Sequence, residues 1–411
     1  MASRIPEKVS FGVLIFAQLV ATMGFTFVMP FMPLYVQELG IESERAATAW
    51  AGVLNGAAGL TMALAAPLWG RLADRVGRKA MLLRATLAAA VVVGLMGFVS
   101  GPWQLLALRL LQGTLTGTVP AATALVATNS PAGRVGGRLG ALQMTIFIAG
   151  ALGPLLGGMF YDFAGMRSSF ALTSGMLAVS GLAVLFGVYE ARPTGEETSA
   201  EKGESRSGVP YRALLPALAA LLLAHVTITG ANVNIPGFLA SLGVEERVAS
   251  HSGRLIAVAA LLAAAGSAVG GRVAERFGPG RVISALLLLA GLTAMPQALA
   301  GNLPELWVFR LSSGFFLGAL IPVANLYIKN AVPEERQGAA FGVASSAVAA
   351  GFALGPIGGG LLVAYLGFWA PFFVPGALLA GASAAVFMLA RTRKRLRAAL
   401  RAALTHLLRS W

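Results

Sequence analysis

Three side chains in this sequence are out of place for their surroundings and equipped to do chemistry. Arg109 and Arg310 sit inside long apolar runs, and His225 lies in Leu223-Ala-His225-Val-Thr227-Ile-Thr229, with Asn232 and Asn234 just beyond. A guanidinium keeps its proton, so either arginine is a fixed positive charge that lowers the pKa of its neighbours. An imidazole with an ordinary pKa of about 6.5 can take up and release a proton. Ionisable groups in an apolar span are costly and face either a cavity or a partner. For His225 the alternatives are a proton carrier and a neutral ring bonded to a neighbouring helix. For Arg109 they are a cavity charge and a clamp on the carbonyls of an adjacent helix, and Arg310 poses the same choice. All 17 acidic residues fall in loops or at span ends. The first span offers only Gln18, Thr22 and Thr26, and the other polar positions within spans are Asn55, Gln112, Gln143, Thr145, Gln297, Asn325 and Tyr327. Such groups line a cavity or bind helices together. If both arginines line one cavity, its potential is positive and favours neutral or anionic amphiphiles over lipophilic cations.

The elements that must position these groups are membrane spans. Hydrophobic residues make up 57% of the 411-residue chain and charged residues 12%, about half the usual share for globular proteins. An apolar stretch of about 20 residues crosses a bilayer. Such stretches run 11–39, 47–72, 80–99, 102–128, 139–163, 168–189, 211–241, 249–273, 282–299, 303–328, 338–365 and 368–390, which predicts an all-α integral membrane protein with twelve transmembrane helices. Residues 191–210 are polar and rich in Glu, Ser and Gly, a linker between a first six-helix bundle (1–190) and a second (211–390). Residues 391–411 carry Arg391, Arg393, Lys394, Arg395, Arg397 and Arg401 with leucines at helical spacing, a basic amphipathic tail for an anionic membrane surface or else a frayed end.

The net charge of +14 fits a membrane topology better than a nucleic-acid partner. Of 31 Lys and Arg, 25 fall on the side of the linker, Arg45, Arg167, Arg247 and Arg254 on the other, and Arg109 and Arg310 within spans. The positive-inside rule then places both termini in the cytoplasm. With no Cys and three His, neither a disulfide framework nor a metal site is expected. No cofactor is implied. There is no HExxH, nucleophile arrangement or intramembrane Asp pair, so no enzyme is expected, and nothing in the chain calls for an oligomer.

The two halves repeat one another. Gly70-Arg-Leu-Ala-Asp74-Arg75-Val-Gly77 returns as Gly271-Arg-Val-Ala-Glu275-Arg276-Phe-Gly278, and Arg109-Leu-Leu-Gln-Gly113 as Arg310-Leu-Ser-Ser-Gly314. Gly153-Pro154-Leu-Leu-Gly157-Gly158 returns as Gly355-Pro356-Ile-Gly-Gly359-Gly360, and Pro33 as Pro236. Matches in order at one spacing predict two pseudo-symmetric bundles with a site between them near the midplane. In the fifth span Gly150, Gly153 and Gly157 form a smooth stripe for close helix approach, and Pro154 bends the helix, as a packing notch or as a hinge. Gly70 marks close approach of a neighbouring helix at the end of span two.

The run Gly70–Lys79, including Arg78, resembles the signature loop of the major facilitator superfamily. Arg109-Leu-Leu-Gln-Gly113 resembles that family's proton-linked motif, and Gly150 to Gly158 its antiporter motif. Met29-Pro-Phe-Met-Pro33-Leu-Tyr is similar to the first helix of the twelve-span drug:proton antiporters, MdtG-like bacterial multidrug exporters above all. The resemblance implies alternating access, with proton-coupled export of drug-like amphiphiles. An importer or uniporter of a metabolite and a lipid-headgroup flippase are the alternatives. It implies that the Asp74 carboxylate caps the N-terminus of span eleven near Gln337-Gly338, and Glu275 that of span five, each cap contributing about 1–2 kcal/mol to a gate. The alternative for the loop's Arg71, Arg75, Arg78 and Lys79 is topology alone. The second loop has Pro279-Gly280 where the first has Arg78-Lys79, a thinner network. Asp74 joins Arg109 and His225 as a proton-coupling candidate.

Overall fold

The computed structural model describes residues 6–131, 134–190, 211–333 and 336–388, apart from the side chains of Asp74 and Arg212. The linker 191–210, the tail 391–411 and the Asp74 carboxylate therefore lie outside the described residues. Every described element is helical, as lipid requires, because a helix satisfies its own backbone. We number the spans α1 (Glu7–Glu38), α2 (Glu44–Val76), α3 (Arg78–Met96), α4 (Pro102–Asn129), α5 (135–164), α6 (166–187), α7 (Tyr211–Ser241), α8 (Val248–Phe277), α9 (Pro279–Leu299), α10 (Leu303–Ala331), α11 (Gln337–Leu366) and α12 (Ala370–Met388). Helices α5 and α6 follow one another without a loop and are divided at Gly165, whose φ of 76° and ψ of 175° no helix accommodates. Eleven apolar helices of spanning length thus carry twelve spans among the described residues.

Left-handed glycines stop the helices at repeat-related places: Gly40 and Gly243, Gly77 and Gly278, Gly165 and Gly367. The duplication is broken in more than one span: α1 passes through a 3-10 turn at Met29–Phe31, whereas its counterpart α7 is continuous. Helix α4 is interrupted between Leu115 and Thr118, where Thr116 is extended and Gly117 has φ 129°, whereas its counterpart α10 runs unbroken through Gly318. Span ends lie within a few residues of expectation, except that α2 and α8 reach Val76 and Phe277 rather than 72 and 273.

The first six and last six spans meet along two seams, α2 with α11 and α5 with α8. Both seams are tight only at the end away from the linker. A β-carbon added at Gly52 or Gly56 would collide with Pro356 or Ile357 of α11, and one at Gly59 would lie 3.4 Å from Ala353 Cα. At the other seam Gly158 abuts the Ala249 carbonyl and Gly253 the Pro154 carbonyl. The Asp162 carboxylate of α5 also accepts a 2.8 Å hydrogen bond from the Ser250 amide of α8. Between the seams at this end the repeat-related Pro33 and Pro236 border a crevice of about 300 Å³, with Gln37, Thr48 and the carboxylates of Glu44 and Glu245. At the linker end Gly70, Gly136, Gly137, Gly140, Gly271, Gly338 and Gly342 all face open space. The close approach expected at Gly70 is therefore not made in this conformation, because the halves splay apart there. The molecule is closed at the far end and open at the linker end.

The chain has no cysteine, so single reporters need no background removal. Gly140→Cys and Gly342→Cys should react with a polar maleimide at least about tenfold faster than Ala353→Cys, which the α2–α11 seam buries; equal rates would contradict the one-sided closure.

Candidate functional site

Arg109 and Arg310 are 2% and 4% exposed, so neither head projects into open space. Arg109 donates through Nη1 to Gln112 Oε1 at 2.8 Å and through Nη2 to Asn55 Oδ1 of α2 at 2.6 Å. Asn55 is steadied in turn by its Nδ2 donating to the Met29 carbonyl at 3.4 Å. Arg310 donates to Asn232 Oδ1 of α7. Each guanidinium thus grips a side-chain amide on another span, where the alternative foresaw backbone carbonyls. The arginines are repeat-related but their partners are not, since α7 corresponds to α1 and not to α2. Amides are neutral, so both positive charges stay uncompensated by these bonds, and each Nε is buried without a partner. A buried cation held this way keeps spare donors for an anion.

His225 is half-buried in α7. Its Nδ1 lies 2.8 Å from the Leu221 carbonyl of its own helix, and its ring sits 5.1 Å from that of Phe352 on α11. A carbonyl only accepts, so Nδ1 carries the hydrogen and Nε2 holds the basic lone pair. The bond is to its own helix, not to a neighbouring one.

The remaining polar candidates scatter. Gln18 is buried and donates to Thr22 at 2.8 Å, and Thr145 and Asn234 bond carbonyls one turn back in their own helices. Asn234 Oδ1 and Gln297 Oε1 are buried without partners. Gln143 is exposed and Asn325 half-buried. The structure brings Asn55, Gln112 and Arg109 together, and Asn232 with Arg310, and leaves the others apart.

The Gly-Pro segments have a specific packing role. Thr26 Oγ1 of α1 is shared between the Thr22 carbonyl of its own helix at 3.0 Å and the Ala149 carbonyl of α5 at 3.1 Å, and its repeat mate Thr229 of α7 between the His225 carbonyl at 2.7 Å and the Gly351 carbonyl of α11 at 3.2 Å. A β-carbon at Gly153 or Gly355 would strike those same hydroxyls, and Gly157 and Gly359 abut the carbonyls of Phe27 and Gly230. The glycines are seats for a threonine on the neighbouring span. Gly150 is not part of the seat, for nothing lies near it. Pro154 and Pro356 lie inside continuous helices at the seams, Gly253 against the Pro154 carbonyl and Gly52 against that of Pro356.

In the signature loop, Gly77 turns the chain with φ 104° and Arg78 opens α3. Its amide and that of Lys79 donate to the Glu190 carboxylate at 2.5 and 3.1 Å. Glu190 caps α3 from the end of the first bundle, a role with no signal in the sequence. Arg75, Glu275 and Arg276 are exposed, and Gly271 faces open space. Arg84 lies inside α3 and stacks 3.4 Å over Trp69, whose Nε1 donates to the Thr114 carbonyl beside the α4 break at 2.6 Å. Its position within the apolar run 80–99 was the available clue. Among the described residues no group of three or more His, Cys, Asp or Glu is placed to hold a metal.

The family model described as Major Facilitator Superfamily matches residues 14–253 and again 217–411. The multidrug resistance protein MdtG of Proteus mirabilis is 33% identical over 359 residues, 87% of this chain and 89% of that protein. The uncharacterized MFS-type transporter YuxJ of Bacillus subtilis is 33% identical over 377 residues, 90% of this chain and 95% of its own. Among solved structures, a bacterial homologue of the human lysosomal transporter Spinster, inward-facing and unoccupied, superposes with a TM-score of 0.75 at 17% identity, covering 95% of this chain and 98% of that one.

The threonine seats predict unequal tolerance among glycines of one motif. Gly153→Ala and Gly355→Ala should each cost about 1–3 kcal/mol, read as a lower unfolding temperature in detergent. Gly150→Ala and Gly358→Ala, where nothing lies within 4 Å, should be neutral or raise it, since alanine favours the helix by up to about 1 kcal/mol.

Proposed function

The chain belongs to the Major Facilitator Superfamily, and we propose that within it the protein is a proton-coupled exporter of drug-like amphiphiles, working as a monomer by alternating access. It is a multi-pass membrane transporter of small molecules. The excess of cations at the linker end supports a cytoplasmic position for that end and for both termini, and hence an inward-open state poised to load substrate from the cytoplasm or inner leaflet. Relatives named for multidrug resistance support the substrate class.

The observation that carries the reading of the site is the pair of buried guanidiniums held only by amides. With all acids kept to loops and span ends, a substrate carboxylate, sulfonate or phosphate is the missing counter-charge, and a neutral amphiphile is tolerated. The exported class is then anionic or neutral, not lipophilic cations. His225 is the proton carrier in this reading, its Nε2 lone pair open to protonation while Nδ1–H stays tied to Leu221. Asp74 and Glu275 are gate elements of the linker end, and Glu275 is exposed in the open state. Asn55, Gln112 and Asn232 supply the polar shell of the arginines, while Gln18, Asn234, Asn325, Gln143 and Thr145 lie apart from them.

Proteoliposomes with a trapped pH dye test the coupling. Adding an anionic amphiphile on the loading side should move protons against it, and His225→Ala should abolish proton movement. Substrate flux with no proton movement would overturn antiport, and efflux of cationic dyes unaffected by anions would overturn the substrate class. Arg109→Lys should lower the rate at least about tenfold, because one ammonium cannot reproduce the guanidinium's forked hold on Asn55 and Gln112.

A further inference from the structure

Carboxylates in the last turn of a helix sit at the negative end of its dipole, where they are locally unfavourable. Three acids here nevertheless stand three residues before a left-handed helix-ending glycine: Asp74 before Gly77, Glu275 before Gly278 and Asp162 before Gly165. Family resemblance accounts for the first two as gates at the linker end. The third lies at the opposite end of the molecule, outside any motif identified in the sequence, and there the compensating partner is visible. Asp162 Oδ2 accepts the amide of Ser250, the third residue of α8, at 2.8 Å.

Helix α8 needs that cap. Its N-cap residue is Arg247, in the left-handed conformation with φ 51°, and it supplies no side-chain cap. An arginine is the wrong charge for a helix N-terminus and a poor capping residue. By contrast α2 and α10 cap themselves with Ser43 and Asn302. Asp162 is anchored to the first bundle because the adjacent Tyr161 donates to Glu38 of α1 at 2.7 Å. The bond therefore ties the first bundle to the second across the closed seam.

The same antiparallel pair is built to make the contact the other way round. Helix α5 also starts after an uncapped arginine, Arg134, and its third residue is Gly137, exposed and with nothing near it. In the register that sets Asp162 opposite Ser250, Glu275 near the end of α8 comes opposite Gly137. Glu275 is exposed in this conformation, as its distance from a splayed α5 requires. We propose that Asp162 is the latch of the far gate and that it alternates with Glu275: one carboxylate caps α8 while the far end is closed, the other caps α5 while the linker end is closed. The exchange rests on the alternating-access reading, but it assigns a residue that reading does not use. It makes the α5–α8 seam a two-position switch in which one capping bond is traded for an equivalent one, so neither state is strongly favoured.

The test needs neither substrate nor proton gradient, so it stands apart from the transport assays. Two single-cysteine reporters are labelled with a polar maleimide in liposomes: Gln37→Cys in the far-end crevice and Gly342→Cys at the linker end. Asp162→Ala should raise far-end labelling roughly two- to fivefold and lower linker-end labelling, the range expected for loss of an exposed charge–dipole cap. Glu275→Ala should do the reverse, and the double variant should return both rates toward those of the parent. Asp162→Glu, which keeps the charge, should stay close to the parent. If Asp162→Ala is not recovered as folded protein, Asp162→Asn is scored by the same criterion. Unchanged rates, or movement in the same direction in the Asp162 and Glu275 variants, would overturn the latch. Shifted labelling in a protein that moves no protons would uphold the latch and sink the antiport reading instead.

Discussion

Lipid tails are as apolar as leucine, so nothing squeezes these helices together as water would. They hold only where backbones come close enough for dense van der Waals contact and where a polar group has no better partner than a neighbouring helix. The threonine-on-glycine seats supply the close approach twice over, and each gives a hydroxyl that already bonds its own helix a second acceptor on the neighbouring span. Thr26 and Thr229 cross to a carbonyl on α5 or α11, and the absent side chains of Gly153 and Gly355 let them arrive. Those seats fix α5 to α1 and α11 to α7, and so fix which faces of α5 and α11 are left for the opposite bundle. The far-end seams are built on those faces, with glycine against carbonyl at Gly158, Gly253 and Gly52. Contact of this kind is short-ranged and vanishes within an ångström or two of separation.

Charge in the molecule is sorted by depth. Among the described residues the acids lie in loops or at helix ends, where Glu190 caps α3 and Asp162 caps α8. The deep cations Arg109 and Arg310 are buried with amides alone. A carboxylate beside either one would neutralise it permanently, and an anionic solute would then gain nothing by entering. Amides hold the guanidinium in place while leaving its field intact. Positioning and neutralisation are thus separated, and only the first is supplied by the protein.

Much of this was readable in the residues. Runs of apolar sequence gave twelve spans because the bilayer sets their length, and the repeat gave their pairing. Arg109 and Arg310 announced themselves as charges in apolar runs. What could not be read was partnership across the fold. Nothing local says that Asn55 and Asn232, in different spans of their halves, both end on an arginine, or that Glu190 reaches back over a hundred residues to α3. The absence of a role for Gly150 beside Gly153 depends on helix rotation, which spacing alone does not settle. Arg84 also lies in an apolar run, but nothing local names its partner Trp69, which lies in another span. Asp162 was unremarkable as one acid at one helix end, and its meaning depends on an amide some ninety residues later.

The duplication that built the molecule has not stayed faithful throughout. Helix α4 is interrupted at Thr116 and Gly117, just beyond Arg109, while α10 passes the equivalent point as an unbroken rod. A rod transmits displacement along its whole length; two segments joined by an extended residue and a glycine absorb it. Strain arriving at the linker-end part of α4 is therefore spent at the joint, and the arginine above it is shielded from movements that α10 would pass straight to Arg310. Two bundles of common ancestry have become mechanically unlike, one compliant and one stiff.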